Sequence, residues 1–400
     1  MTLKDKITWL ESLKRFKNKT SLDHLSSIFK DLKLNHSATK IQVIGTNGKG
    51  STAKMLTDIV KQSKTVGTFM SPYVYTFHER ILIQGEPISN DVLEQALDYI
   101  IDVRKKYDSL TFFECLTLMA FYVFKKLNLE IIIMEAGIGG RLDSTSIETY
   151  DMTLFTSVGH DHLNILGPTL RDVCIDKVQA LKRHGVLISA VSNAFDDIIT
   201  HHVKQTDATW IKVTDASRKV ISHYPLTFLY DDEVYTLQYT GDHYATNALL
   251  AIEAAKRMHI QPIQIKHGLL SSILYGRFER CHDVILDAAH NVESIDALAK
   301  TIEKVYPYQG IFILLSALGD KDIIQMIQQL DTIATVIVTS FDDPRYIDLS
   351  YVKDKGYIFI ENFNDAYQYV RNIKDVDAQI IITGSIHFIS QAKRKILNTF

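Results

Sequence analysis

The sequence predicts an α/β protein of two unequal parts: an N-terminal P-loop ATPase domain with a mostly parallel sheet, and a smaller C-terminal Rossmann-like α/β domain. Three observations carry this. A short apolar run at 41–44 feeds a glycine loop and a hydroxylated helix start. The run Ile131-Ile132-Ile133-Met134 is continuously apolar, as in a parallel strand buried on both faces. From 284 onward, apolar runs alternate regularly with helical stretches, the pattern of a doubly wound sheet. A chain of 400 residues also exceeds what one core usually supports. We therefore expect an N-terminal domain over 1–274, a linker over 275–280 and a smaller C-terminal domain over 281–400.

Taken in order, residues 5–33 carry Ile7, Leu10, Leu13, Leu22, Leu25, Ile28, Phe29 and Leu32 at helical spacing. The first strand is 41–44, and a helix opened by Ser51 and Thr52 continues through 53–61. Short strands are expected at 66–69 and 80–83. Asn90 or Asp91 caps a helix reaching about Lys106. Thr111 and Glu114 form a capping box before an apolar helix over 115–124. Strands at 131–134, 152–157, 186–190, 210–213 and within 220–239 follow, the last two runs locally antiparallel, with a helix between Thr169 and about Lys182. Gly241-Asp242-His243 starts a helix carrying Asn247, and a second helix covers about 263–272. Periodicity lapses at Tyr275-Gly276-Arg277-Phe278. Beyond it, strands at 284–286, 311–315, 335–338, 357–360 and 379–382 are each followed by a helical stretch.

The composition excludes several function classes. A formal net charge of −3 and a pI near 6.6 give no basic excess for nucleic acid or an anionic membrane surface. No stretch approaches the ~18 apolar residues of a spanning helix, and the N-terminus lacks an apolar signal core, so a cytoplasmic protein is expected. Cys115, Cys174 and Cys281 are far apart and without metal spacing, which reads as reduced thiols.

The chemistry concentrates at strand ends. In Gly45-Thr46-Asn47-Gly48-Lys49-Gly50-Ser51 the glycines let backbone N–H groups turn around an anion, Lys49 supplies a mobile charge, and the helix start favours phosphate oxygens. The strict Walker pattern fails, because Val43 and Gly50 stand where it wants Gly and Ser or Thr. An ordinary strand-to-helix turn is the alternative. Glu135 opens a second glycine loop, through Gly139-Gly140-Arg141 to Asp143, where a carboxylate can hold Mg²⁺ or instead pair with Arg141. His160-Asp161-His162 follows another strand, without a third partner for zinc. His162 supports a hard cation or serves as a structural hydrogen-bonder. Lys177, beside Asp176 on a helix, reads by itself as a solvated surface pair. Gly276-Arg277 and Asp287-Ala288-Ala289-His290-Asn291 bring an arginine, a carboxylate and a histidine to the junction, with capping the plainer reading of Asn291.

These pieces, in this order, resemble the folylpolyglutamate synthase/dihydrofolate synthase family of muramyl-ligase-like ATP-dependent amide ligases. The resemblance runs from about Ile41 to the end. It rests on the 45–51 loop, Ser71-Pro72, Glu79-Arg80-Ile81, Thr111-Phe112-Phe113-Glu114, Glu135 to Asp143, Asp161-His162, Lys177, Gly241-x-His243, Asn247, Gly276-Arg277, Asp287 to Asn291 and Thr383-Gly384-Ser385.

It implies that Gly45, Thr46, Asn47, Gly48, Lys49, Gly50 and Ser51 hold ATP phosphates, and that Ser71, Glu135 and His162 organise Mg²⁺. Asn247 would touch adenine and Asp287 the ribose, with Arg277 and His290 on the phosphates. Lys177 falls where the family has a carbamylated lysine, which would turn a cation into an anion. Lys49, Lys177, Arg277 and His290 are the implied catalytic groups. The implied reaction joins L-glutamate to the carboxylate of a folate or pteroate through an acyl phosphate, in a monomer. Tyr73, Tyr75 and Phe77 could serve the aromatic acid or simply pack the loop. The chain departs from the family at Tyr73, Ser146, Tyr244, Leu274-Tyr275 and Ala288. These departures spare the phosphate and metal groups and leave open a related ligase acting on another cytosolic acid.

Overall fold

The computed structural model describes residues 1–15, 17, 20–319 and 321–397. They form two compact units. One comprises Met1–Lys219, Leu229–Thr236 and Thr246–Ser272; the other comprises Val220–Phe228, Leu237–Ala245 and the chain from Ile273 onward.

The first unit is built on an eight-stranded sheet. Its strands are β1 (Thr39–Ile44), β2 (Val66–Phe69), β3 (Ile81–Ile83), β4 (Glu86–Pro87), β5 (Ile131–Glu135), β6 (Met152–Phe155), β7 (Val186–Ser189) and β8 (Thr209–Lys212), in the order β4-β3-β2-β5-β1-β6-β7-β8. From β2 across to β8 neighbouring strands run parallel, while β3 and β4 complete an antiparallel edge. The all-apolar run at 131–134 is explained by the position of β5 between β2 and β1, where both faces are covered. β1 lies between β5 and β6, so the chain crosses over it, and the ends of these three strands open at one topological switch point.

Several expectations need correction. The run at 210–213 is not antiparallel: β8 pairs parallel with β7, because the helix Asp196–Thr206 supplies the crossover between them. The helical periodicity of 5–33 belongs to two helices, Leu3–Glu11 and Asp23–Asp31. The helix after the glycine loop begins at Lys49, not at Ser51, with Gly48 as its N-cap. Ser89, rather than Asn90 or Asp91, caps Asn90–Lys106 by accepting from the N–H of Val92. The Thr111/Glu114 capping box is present and starts Phe112–Lys126.

Residues 218–237 make a three-stranded sheet of β9 (Arg218–His223), β10 (Leu226–Tyr230) and β11 (Glu233–Leu237), in the order β11-β10-β9. The helix His243–Arg257 carries Asn247.

In the second unit, β12 (Glu279–Cys281), β13 (Val284–Leu286), β14 (Ile311–Leu315), β15 (Thr335–Val338), β16 (Ile358–Phe359) and β17 (Gln379–Thr383) order as β12-β13-β17-β14-β15-β16. All neighbours are parallel except β12, which pairs antiparallel with β13 at the edge. The helices Val292–Val305 and Ile323–Leu330 bury Ile295, Leu298, Met326 and Ile327 against this sheet. Not every strand is followed by an α-helix. Between β15 and β16 the connection is a short 3₁₀ segment, Ser350–Lys355, reached through a loop containing Pro344.

Candidate active site

The glycine loop is fixed by the loop after β6. Thr46 N–H donates to the Ser157 carbonyl at 2.9 Å and Asn47 N–H to Ser157 Oγ at 2.9 Å, while Thr156 Oγ1 donates to the Asn47 carbonyl at 2.6 Å. Two glycines are dictated by this packing. Gly45 has φ +144°, and a Cβ there would meet Thr156 Oγ1 at 1.9 Å; Gly48 has φ +85°, and a Cβ would meet Asn247 Oδ1 at 2.5 Å. Gly50 differs. It sits in regular helix, where a Cβ would make only ordinary contact with Met70 Cε at 3.4 Å and Glu135 Oε1 at 3.5 Å. Its missing side chain keeps space beside Glu135.

Two lysines converge on one backbone oxygen. Lys49 Nζ donates to the carbonyls of Gly45 and Thr46 at 3.0 and 3.1 Å, and Lys177 Nζ donates to Gly45 O at 2.8 Å. The surface-pair reading of Lys177 is therefore wrong: the residue is only 4% exposed. Its helix, Leu170–Val178, buries Val173, Cys174, Lys177 and Val178, one face at i, i+1, i+4, i+5 spacing. Burial first, and then the neighbouring charge of Lys49, push the Lys177 ammonium down to about 7. That corresponds to roughly 5 kcal/mol against the charged form. Asp176 does not neutralise it by a surface pair. Its Oδ2 accepts Gly140 N–H at 2.8 Å, and its carbonyl accepts Arg141 N–H at 3.0 Å, which clasps the second glycine loop to the lysine helix.

Glu135 ends β5 and is 4% exposed. Its Oε2 accepts Ser71 N–H at 2.9 Å, so two of the three expected magnesium groups are adjacent. Arg141 is not its partner; the guanidinium stands 3.8 Å from Asp176 Oδ1. His162 lies on the loop after β6, with Nε2 3.8 Å from Asp161 Oδ2. Among the described residues, no group of three or more His, Cys, Asp or Glu side chains is placed to hold a metal ion. A carboxylate, a serine hydroxyl and the space at Gly50 nevertheless suit a hard cation that keeps several waters. The second glycine loop is ordered internally by Asp143, whose Oδ2 accepts Gly137 and Ile138 N–H at 2.9 and 3.0 Å.

Residues 43–255 match the Mur ligase middle domain, and residues 276–386 match the Mur ligase, glutamate ligase domain. The chain is 31% identical to the dihydrofolate synthase/folylpolyglutamate synthase of Bacillus subtilis, an alignment that spans 98% of each protein. The chain belongs to the folylpolyglutamate synthase/dihydrofolate synthase family. It is 27% identical to the folylpolyglutamate synthase of Lacticaseibacillus casei over 89% of this chain and 90% of that one. Among solved structures, the Mycobacterium tuberculosis folylpolyglutamate synthase complexed with ADP superposes with a TM-score of 0.88, 25% identity and 98% of both chains covered. Escherichia coli FolC in complex with DHPP and ADP gives a TM-score of 0.88 at 24% identity, covering 99% of this chain and 98% of that one, a likeness of fold. This chain is accordingly an ATP-dependent acid–amino-acid ligase of the folylpolyglutamate and dihydrofolate synthase type.

In this folylpolyglutamate synthase/dihydrofolate synthase family member, the second unit holds the remaining expected residues. Asp287 is buried, and its two oxygens accept Phe278 N–H at 2.8 Å and Ala289 N–H at 2.9 Å. Burial raises its carboxyl pKa, opposed by the nearby Arg277. Arg277 Nη1 donates to the Gly276 carbonyl at 3.0 Å. His290 Nδ1 lies 2.7 Å from the Ala288 carbonyl. Asn291 caps Val292–Val305 by accepting Ser294 N–H at 2.9 Å, the plainer reading. Asn247 belongs to the first unit, where it is buried against Gly48 of the glycine loop.

Sequence reasoning missed Thr156, Ser157 and Asp176, which hold the loops rather than any substrate. Only the apolar residues Val173, Cys174 and Val178 on the same face could have signalled that Lys177 is buried. A cleft of about 610 Å³ also lies at the opposite end of the first sheet, lined by the first residues of β1, β5, β6 and β7. None of the candidate residues line it.

Proposed function

We propose that this ligase phosphorylates the carboxylate of a folate or pteroate at the expense of ATP, and joins the resulting acyl phosphate to L-glutamate. The carboxylate oxygen attacks the γ-phosphorus, ADP leaves, and the glutamate amine then displaces phosphate from the acyl carbon. The observation that carries this reading is the convergence of Lys49 and Lys177 on Gly45, beside the buried Glu135. Lys49, a cation held by carbonyl oxygens in the first turn of a helix, suits a polyphosphate. The ADP complexes of the M. tuberculosis and E. coli relatives support the same nucleotide here. The DHPP complex of E. coli FolC supports a pteroate-type acid.

In this reading, the 45–51 loop and Lys49 bind the phosphates, and Lys49 counters charge on the transferring group. Ser71, Glu135 and His162 would hold Mg²⁺, which supplies charge neutralisation on the phosphates. Lys177 is a carbamylation site: the neutral form of its amine, about half of the population near pH 7, adds to CO₂ and releases a proton, leaving a carbamate anion facing the loop. Its low pKa supports this, since only the neutral amine reacts. Asn247 is assigned to adenine, Asp287 to ribose, and Arg277 and His290 to phosphate. The proposed organisation is an ATP-binding domain over 1–274, a linker over 275–280 and a ligase domain over 281–400. The two family matches favour a division there, although 220–228 and 237–245 cluster with the later unit. We further propose a cytoplasmic monomer; no helix among the described residues is long and apolar enough to cross a membrane.

The test is ADP release by the purified protein with ATP, glutamate and a panel of acids. Release is expected only when glutamate accompanies dihydropteroate or tetrahydrofolate. Turnover with an unrelated acid and none with either folate compound would sink the folate assignment. Light scattering on the same preparation reads the oligomeric state.

A further inference from the structure

The loop between β2 and β3 encloses a cation with which, among the described residues, no carboxylate pairs directly. Glu79 is fully engaged in shaping that loop: its carboxylate accepts the N–H groups of Val74 at 2.8 Å, Tyr75 at 3.1 Å and Thr76 at 2.9 Å. Its neighbour Arg80 is left to other partners. Arg80 is 7% exposed, and its guanidinium carbon lies 4.9, 5.4 and 5.2 Å from the ring centroids of Tyr73, Phe77 and Phe112. One hydrogen bond is made, from Nη1 to Ser71 Oγ at 3.3 Å. Nε is buried and has no hydrogen-bond partner, and among the described residues no carboxylate forms an ion pair with Arg80. Burial pushes its pKa down to about 10, which still leaves it charged near neutral pH.

Such an arrangement is poor for stability. Aromatic faces attract a guanidinium, but they offset only part of the loss of water around it, and an unmade buried hydrogen bond adds to the deficit. A planar anion would correct both faults, because a carboxylate accepts two parallel N–H bonds from one edge of the guanidinium. The position of Arg80 limits which anion that is. Ser71 takes Arg80 on its hydroxyl and donates its N–H to Glu135 at 2.9 Å, so Arg80 is one residue removed from the buried carboxylate of the candidate active site. Lys49 and Lys177 already attend the glycine loop. The other anion that a ligase must bring to this place is the carboxylate it activates.

We propose that Arg80 is the docking group for the carboxylate of the acid substrate, received on the guanidinium edge that Ser71 leaves free and held toward Glu135. This rests on the ligase reading of the site and adds to it the residue that recognises the reacting group. Phe77 and Phe112 are buried and fix the plane of the guanidinium. Tyr73, half-buried and hydrogen-bonded through its hydroxyl to Glu11 at 3.2 Å, is the wall that yields when the acid enters. Arg80 receives a carboxylate group, which dihydropteroate and tetrahydrofolate both present, and so serves either.

The test compares the parent with Arg80→Met and Arg80→Lys in steady-state ADP release, with KM measured separately for acid, ATP and glutamate. Binding of the acid and of its carboxamide is measured alongside by calorimetry in the presence of AMPPCP. For Arg80→Met, KM for the acid should rise about 100-fold while KM for ATP stays within roughly threefold, as expected for loss of one bidentate charged contact. The preference of the parent for acid over carboxamide should fall to within about threefold in that variant, and Arg80→Lys should retain part of it. Equal rises in all three KM values, or an undiminished preference for the acid, would overturn the proposal and assign Arg80 to loop structure. If Arg80→Met does not fold, the same measurements on Arg80→Lys decide the matter. Absence of turnover by the parent with folate acids removes the folate reading alone, since the acid–carboxamide comparison is then made on whichever acid supports turnover. Absence of turnover with every acid overturns both.

Discussion

The strand ends of the two units carry similar polar residues and use them in opposite ways. At the ends of β1, β5 and β6, Lys49 and Lys177 face carbonyl oxygens, and Lys177 is buried with its charge disfavoured. At the end of β13, Asp287 accepts two backbone N–H groups and Asn291 caps a helix. The first arrangement costs stability, which the phosphates of the proposed nucleotide would offset. The second contributes stability by satisfying backbone groups close in sequence. The contrast teaches that location at a strand end does not identify a chemical group; what its hydrogen bonds and charge lack does.

Lys49→Ala should give the largest effect. We expect a loss of at least ~10³-fold in ADP release, the scale of removing a charge from phosphoryl transfer, with an almost unchanged melting temperature. A variant within tenfold of the parent would erase the contrast. Lys177→Met comes next, at about 100-fold on turnover, and it also carries a pH signature. The folded pKa of about 7 lies below the ordinary 10.5, so the cost of the buried charge is complete below pH 7 and is relieved as pH rises. The stability advantage of Lys177→Met in urea titrations should therefore shrink by about 2–3 kcal/mol between pH 6 and 9. A difference that does not change with pH would mean that Lys177 is not charged at low pH in the folded protein.

Gly48→Ala sharpens the comparison from the backbone side. A positive φ of +85° and a Cβ 2.5 Å from Asn247 Oδ1 predict a loss of about 1–2 kcal/mol together with a higher KM for ATP. Gly50→Ala, whose Cβ meets Met70 at 3.4 Å, should reduce turnover more than melting temperature. The smallest effect belongs to Asn291→Ala. Loss of that cap should cost about 1 kcal/mol and leave turnover within roughly twofold. A large fall in turnover there would mean that Asn291 itself serves ligand as well as stability.

The fold was legible wherever a local signal had one structural solution. The continuous apolar run at 131–134 could only be a doubly covered strand, and Thr111 with Glu114 marked a helix start three residues apart. The direction of β8 was not legible, since it depends on the crossover helix Asp196–Thr206, whose charged sequence hides its role. The break between the two helices within 5–33 was not legible, because helical spacing persists across it.

By itself, the sequence determined the glycine loop, the carboxylate ending β5 and the order of motifs that places the chain in its family. These depend on residue type and on separation along the chain. Only the tertiary structure decided that Lys177 is buried beside Lys49, that Thr156 and Ser157 hold the glycine loop, and that Arg80 has aromatic rings and a hydroxyl where a carboxylate would be expected. The physical reason is that charge burial and hydrogen-bond satisfaction depend on neighbours brought from distant strands, and no local pattern records who those neighbours are.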